Sequence, residues 1–150
     1  MRTTSLSGLA GFATVLGLLA GAAPAGAATT AAADLAIQLP DRGSLLADGA
    51  GVSVTVTFRC DAGQSYNMFV ELSQTVLDGR TASGTGFVGP GTCTGSSQTE
   101  DLLLLAAGGY YAFRTGDAVA RASVSVCPNQ QICSQAMDSG VLELRESFAD

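Results

Sequence analysis

Few side chains in this sequence could do chemistry. Thirteen carboxylates stand against seven arginines, and the chain contains no histidine and no lysine. Without histidine, general-base catalysis, Ser-His-Asp triads and most zinc sites lose their usual residue. Without lysine there is no Schiff base, no Ser-Lys dyad and no phosphate-binding P-loop. Paired carboxylates could still hydrolyse a glycoside. Glu100 and Asp101 are adjacent, however, and on a strand they would point to opposite faces. Glu143 and Glu146 read as solvated surface. Asp61, Asp117 and Asp138 fall in expected turns, but no D-x-D-x-D-G ladder arranges them around calcium. The residues describe a non-catalytic chain with no metal and no cofactor.

The four cysteines, Cys60, Cys93, Cys127 and Cys133, are the remaining reactive groups. Their meaning depends on compartment. Arg2 precedes Leu6 to Ala23, an uncharged run rich in Leu, Ala and Gly, which ends in Pro24-Ala25-Gly26-Ala27. That is the pattern of a secretory signal peptide over residues 1–27, cut before Ala28. The mean hydropathy of +0.32 owes much to it. No later apolar run is long enough to span a bilayer, so the expected product is exported and freely extracellular. Residues 28 onward carry six arginines against thirteen acids, a net charge of −7. Scattered single arginines on an acidic chain do not make a nucleic-acid surface. In an exported chain four cysteines mean two disulfides.

The elements that must position these groups are strands. Residues 28–33 form a flexible lead, residues 34–146 one domain, and residues 147–150 a tail. Val52 to Cys60 alternates apolar and polar side chains, with Cys60 on the inner face. Met68 to Val76 and Ala118 to Cys127 alternate in the same way. Thr81 to Val88 is glycine-rich and reads as a short or edge strand. Leu102 to Ala107 is continuously apolar, fitting a strand buried on both faces or a short buried helix, and its length and flanking glycines favour the strand. Ser134 to Leu144, with a bulge at Gly140, and Asp34 to Leu39 bring the count to seven. Turn residues separate them, and no helical period persists over three turns. The expectation is an all-β, seven-stranded antiparallel immunoglobulin-like sandwich with two disulfides.

Strand parity selects the disulfide pairing. Cys60 points inward, whereas Cys127 shares parity with the outward Arg121, Ser123 and Ser125. The reading is therefore Cys60–Cys93 plus a local Cys127–Cys133 staple, both at one pole of the domain. In the chain-entropy picture the two are worth about 3.7 and 2.4 kcal/mol. The stapled loop Pro128, Asn129, Gln130, Gln131 and Ile132 is the candidate binding surface, because recognition concentrates on loops held by rigid scaffolds. Tyr110 and Tyr111 are a second candidate. They lie in the densest aromatic cluster, Tyr110 to Arg114, and either form a binding patch or pack as a tyrosine corner.

The strand pattern, typified by Val54-Thr55-Val56-Thr57-Phe58-Arg59-Cys60 behind an export signal, resembles secreted immunoglobulin-like domains of high-GC Gram-positive bacteria. That resemblance implies an interaction module for an unknown protein partner. Cys127-Pro128-Asn129-Gln130-Gln131-Ile132-Cys133, followed by Ser134-Gln135-Ala136, is similar to the last hairpin of neocarzinostatin-type apoproteins, although Cys60 and Cys93 lie farther apart than that family's other bridge. This second resemblance implies a carrier for a small apolar ligand, with Phe69, Phe87, Tyr110 and Phe113 lining a cleft. Size, export and two disulfides also resemble secreted subtilisin inhibitors, which implies a convex, extended Cys127–Cys133 loop.

Overall fold

The computed structural model describes residues 34–107, 111–129 and 132–147, with only the backbone of Asp78 and Asn129. The expected signal peptide, the lead and residues 148–150 lie outside the described residues. Eight strands follow in order: β1 Ala36–Gln38, β2 Arg42–Leu46, β3 Gly51–Arg59, β4 Ser65–Thr75, β5 Thr81–Thr92, β6 Gln98–Ala106, β7 Gly116–Asn129 and β8 Ile132–Glu146. All-β character with two disulfides is therefore observed.

The antiparallel sandwich is not. Pairings run β3–β2–β8–β7–β4–β5–β6 and return from β6 to β3, closing seven strands into a barrel, with β1 added on β3. Two features account for the closure. First, β2 was not foreseen, and it pairs antiparallel with β3 and parallel with β8, Arg42 opposite Glu143 through Leu45 opposite Glu146. Second, β5 is no short edge strand. It pairs with β4 along its length and with β6 at Gly84 and Thr85. The glycines that weakened the sequence pattern make this possible: a Cβ on Gly84 would lie 2.8 Å from the Leu105 carbonyl oxygen. Inward glycines let β6 approach where any side chain would hold it away.

Alternation fills the interior. Val52, Val54, Val56 and Phe58 of β3 meet Met68, Val70 and Leu72 of β4 within one buried cluster. Ala118, Ala120, Ala122, Val124 and Val126 of β7, with Leu142 and Leu144 of β8, complete it. The expectation for β6 needs correction. Leu102 and Leu104 are buried, but Leu103 and Leu105 are exposed, so the apolar run is a half-buried strand in a barrel wall. The expected bulge at Gly140 is absent, since Gly140 sits in unbroken register with Ala120; the β7–β8 register shifts between Val126 and Asn129. Gln74, the buried polar side chain among the described residues, accepts from Arg114 N at 2.8 Å and donates to Arg114 O at 2.8 Å.

Candidate functional site

The register places the two disulfides at one pole. Ser65 at the start of β4 pairs with Thr92 on one side and Cys127 on the other. Cys60 is bonded to Cys93, and Cys127 to Cys133. The first bond is buried, and the backbone locks around it: Gly63 N donates to Cys93 O at 2.9 Å and Cys93 N to Gln64 O at 2.8 Å. The next connection is closed by Gln98 Oε1, which accepts from both Thr94 N and Thr94 Oγ1 at 2.8 Å.

Beneath this frame lies Tyr66, only 3% exposed. Its ring centre is 4.7 Å from that of Phe58 at a tilt of 59°, and its hydroxyl donates to Glu100. Opposite it in register is Gly91, where a Cβ would fall 2.3 Å from the tyrosine ring. Burial, the hydrogen bond to Glu100 and that group's negative charge together push the phenol pKa up to about 12.

The second staple clamps a β-hairpin. Asn129 pairs with Ile132 across the turn, beyond the register shift. Pro128 is exposed, and Ile132, at 72%, is the most exposed of the large apolar side chains described. Gln130 and Gln131 lie outside the described residues, as does the side chain of Asn129. Tyr110 is outside them too. Tyr111 is half-buried, with the Arg80 guanidinium 5.1 Å above its ring centre. It belongs to the β6–β7 connection at the far pole, so the two candidate patches do not join.

Other expected groupings are not brought together. Phe113 is fully buried, whereas Phe69 and Phe87 face each other across β4 and β5 on the outer wall. These rings therefore line no common cleft. Glu100 and Asp101 do point to opposite faces, Glu100 to Tyr66 and Asp101 to the hydroxyl of Thr55 at 2.6 Å. Asp138 is occupied by backbone, accepting from Leu39 N at 2.8 Å and Ser139 N at 2.9 Å. Among the described residues no cluster of three or more Asp, Glu or Cys side chains could hold a metal ion.

Two features escaped sequence reasoning. One is an open cleft of about 590 Å³ at the far pole, bordered by Asp48, Arg114, Glu146 and Ser147. Beside it the turn Ala47-Asp48-Gly49, whose composition does mark it as a turn, takes left-handed φ of 47°, 54° and 87°. The other is the outer wall of β5, β4, β7 and β8, which carries five exposed apolar side chains: Phe69, Phe87, Val119, Met137 and Val141. Strand parity could have found this one, since Phe69 is out of phase with Met68, Val70 and Leu72.

Comparison with known proteins adds little. No family model matches the chain, and no curated protein matches it. Among solved structures, the crystal structure of Spo0M, a sporulation control protein from Bacillus subtilis, is similar over 78% of this chain at 12% identity and a TM-score of 0.33. The chain spans about half of that structure, 50% of its length. A likeness at this level carries no weight for fold or function.

Proposed function

We propose that this chain is a secreted, non-catalytic interaction module that offers the disulfide-clamped end of its β7–β8 hairpin to another protein. The observation that carries this reading is Ile132, held 72% exposed one residue from the Cys127–Cys133 bond. An apolar side chain kept in water by a covalent clamp is a pre-organised anchor, because little conformational freedom remains to be lost on binding. Loops on a rigid scaffold are also where recognition concentrates. Export is supported by the N-terminal signal pattern and by two disulfides. No helix among the described residues is long and apolar enough to cross a membrane. A non-catalytic role is supported by the absence of histidine and lysine and by the divergence of Glu100 from Asp101.

The test is photo-crosslinking in the native host, with the label at position 132 or at the exposed Thr75 near the far pole. One defined adduct is expected from position 132, lost when Cys127 and Cys133 are both replaced by Ser. No adduct at 132, or the same adducts from both positions, would overturn the reading.

A further inference from the structure

A second surface is independent of the hairpin tip. On the outer wall the register sets three rows across β5, β4, β7 and β8. The first is Phe87, Phe69, Ser123, Met137; the second Thr85, Glu71, Arg121, Ser139; the third Ser83, Ser73, Val119, Val141. Among the described residues, five of the nine exposed large apolar side chains fall in this block. Its only charges are Glu71 and Arg121, so the block is neutral on a chain of net charge −6. These two sit opposite each other in register, yet among the described residues neither forms an ion pair. Arg121 Nη2 turns away and donates to Met137 Sδ at 3.1 Å.

We propose that this wall is the interface of a homodimer, two copies packing face to face about a two-fold axis that runs along the strands between β4 and β7. A two-fold interface must be complementary to itself, and this axis makes the block so. It lays β4 of one copy over β7 of its partner, and β5 over β8. Each Glu71 then meets the other copy's Arg121. Phe69 lies over Ser123, Val119 over Ser73 and Val141 over Ser83, so these three large side chains each face a small one. Phe87 lies over Met137, an aromatic–thioether contact.

The block spans roughly 14 Å by 13 Å between Cα positions, from strand spacing and rise. With its side-chain margins it buries on the order of 400 Å² per copy, about half of a standard specific interface. The dimer is accordingly weak and depends on concentration.

Sedimentation of the oxidised chain, from micromolar to millimolar concentration at low salt, tests this. The wild-type mass rises toward the dimer. Glu71→Arg alone and Arg121→Glu alone each weaken association at least about tenfold, because like charges then face each other. An equimolar mixture of these two single variants associates again, as does the double variant Glu71→Arg/Arg121→Glu. Phe87→Ser, which changes no charge, also weakens association and serves where a charge swap prevents folding. A wild-type chain that stays monomeric throughout overturns the proposal. So does a mixture of the single variants that associates no better than either alone, or a Phe87→Ser chain that associates like the wild type.

Discussion

Removing the Tyr66 hydroxyl separates what the tyrosine contributes as a ring from what it contributes as a polar group. Tyr66→Phe keeps the packing on Phe58 and over Gly91 but leaves Glu100 without its donor. A hydrogen bond to a charged group contributes about 1.5–3 kcal/mol. For a domain of this size each kcal/mol moves Tm by roughly 3–5 °C, so the variant melts about 5–15 °C below the wild type at pH 8. The pH profile provides the sharper check. Folding raises this phenol from its ordinary value near 10 to about 12. The tyrosine's contribution is therefore fully present below pH 10, and it is lost as pH rises through the folded value. Between those limits the unfolded chain has released a proton that the folded chain retains, and unfolding is favoured. The phenylalanine variant has no such proton to lose at this site. Thermal melts by circular dichroism from pH 8 to pH 12 should show the two Tm curves drawing together above pH 10. Curves that stay parallel, or a Tm difference under about 1 °C at pH 8, would refute the reasoning.

Urea unfolding of Cys60→Ala/Cys93→Ala and of Cys127→Ala/Cys133→Ala should show the larger loss for the first pair, about 3.7 against 2.4 kcal/mol. The buried position of the first bond adds a cavity penalty to that loss. Gly49→Ala should cost more than about 2 kcal/mol or prevent folding, because its Cβ would lie 1.9 Å from the Phe113 carbonyl oxygen at a φ of +87°. Ala47→Gly, two residues away and also left-handed at φ 47°, should instead stabilise by about 0.5–1 kcal/mol. Phe113→Ala, emptying a side chain that is 1% exposed, should cost about 3–5 kcal/mol by the same unfolding measurement.

Where side chains alternate, the sequence discloses its strands. Val52 to Phe58 and Ala118 to Val126 show the period of two without interruption, and the structure buries the expected members. The closing elements hide because glycine has no side chain to mark a face. Arg42-Gly43-Ser44-Leu45 is a strand whose inward members are Gly43 and Leu45, and a Cβ on Gly43 would fall 2.9 Å from Val52 Cγ1. Half its pattern is therefore blank, and Pro40 just before it reads as a turn. Missing that strand leaves two open sheets, hence the expectation of a sandwich. Parity does carry information at Phe69: lining an interior cleft would require it to break the alternation of Met68, Val70 and Leu72. The setting of Tyr111 is hidden for a different reason. Tyr111 packs beneath Arg80, and that contact joins residues whose proximity depends on the tertiary fold.

The parallel ladder between β2 and β8 has a consequence for how the molecule comes into being. It joins segments far apart in sequence, Arg42–Leu45 to Glu143–Glu146. A chain emerging N-terminus first from synthesis can form hairpins early but has nothing with which to close the ring. Until its final strand emerges, β2 has an unpaired edge and the apolar faces of β3 and β4 lack the β8 leucines that cover them. Such non-local pairing is slow, and incomplete forms expose sticky edges. Closure of the barrel is thereby postponed until β8 is available to pair with β2. The same arrangement makes Leu142 and Leu144 a test of completeness. A product truncated before them would lack closure throughout, leaving proteases a whole open chain to recognise instead of a nearly finished barrel.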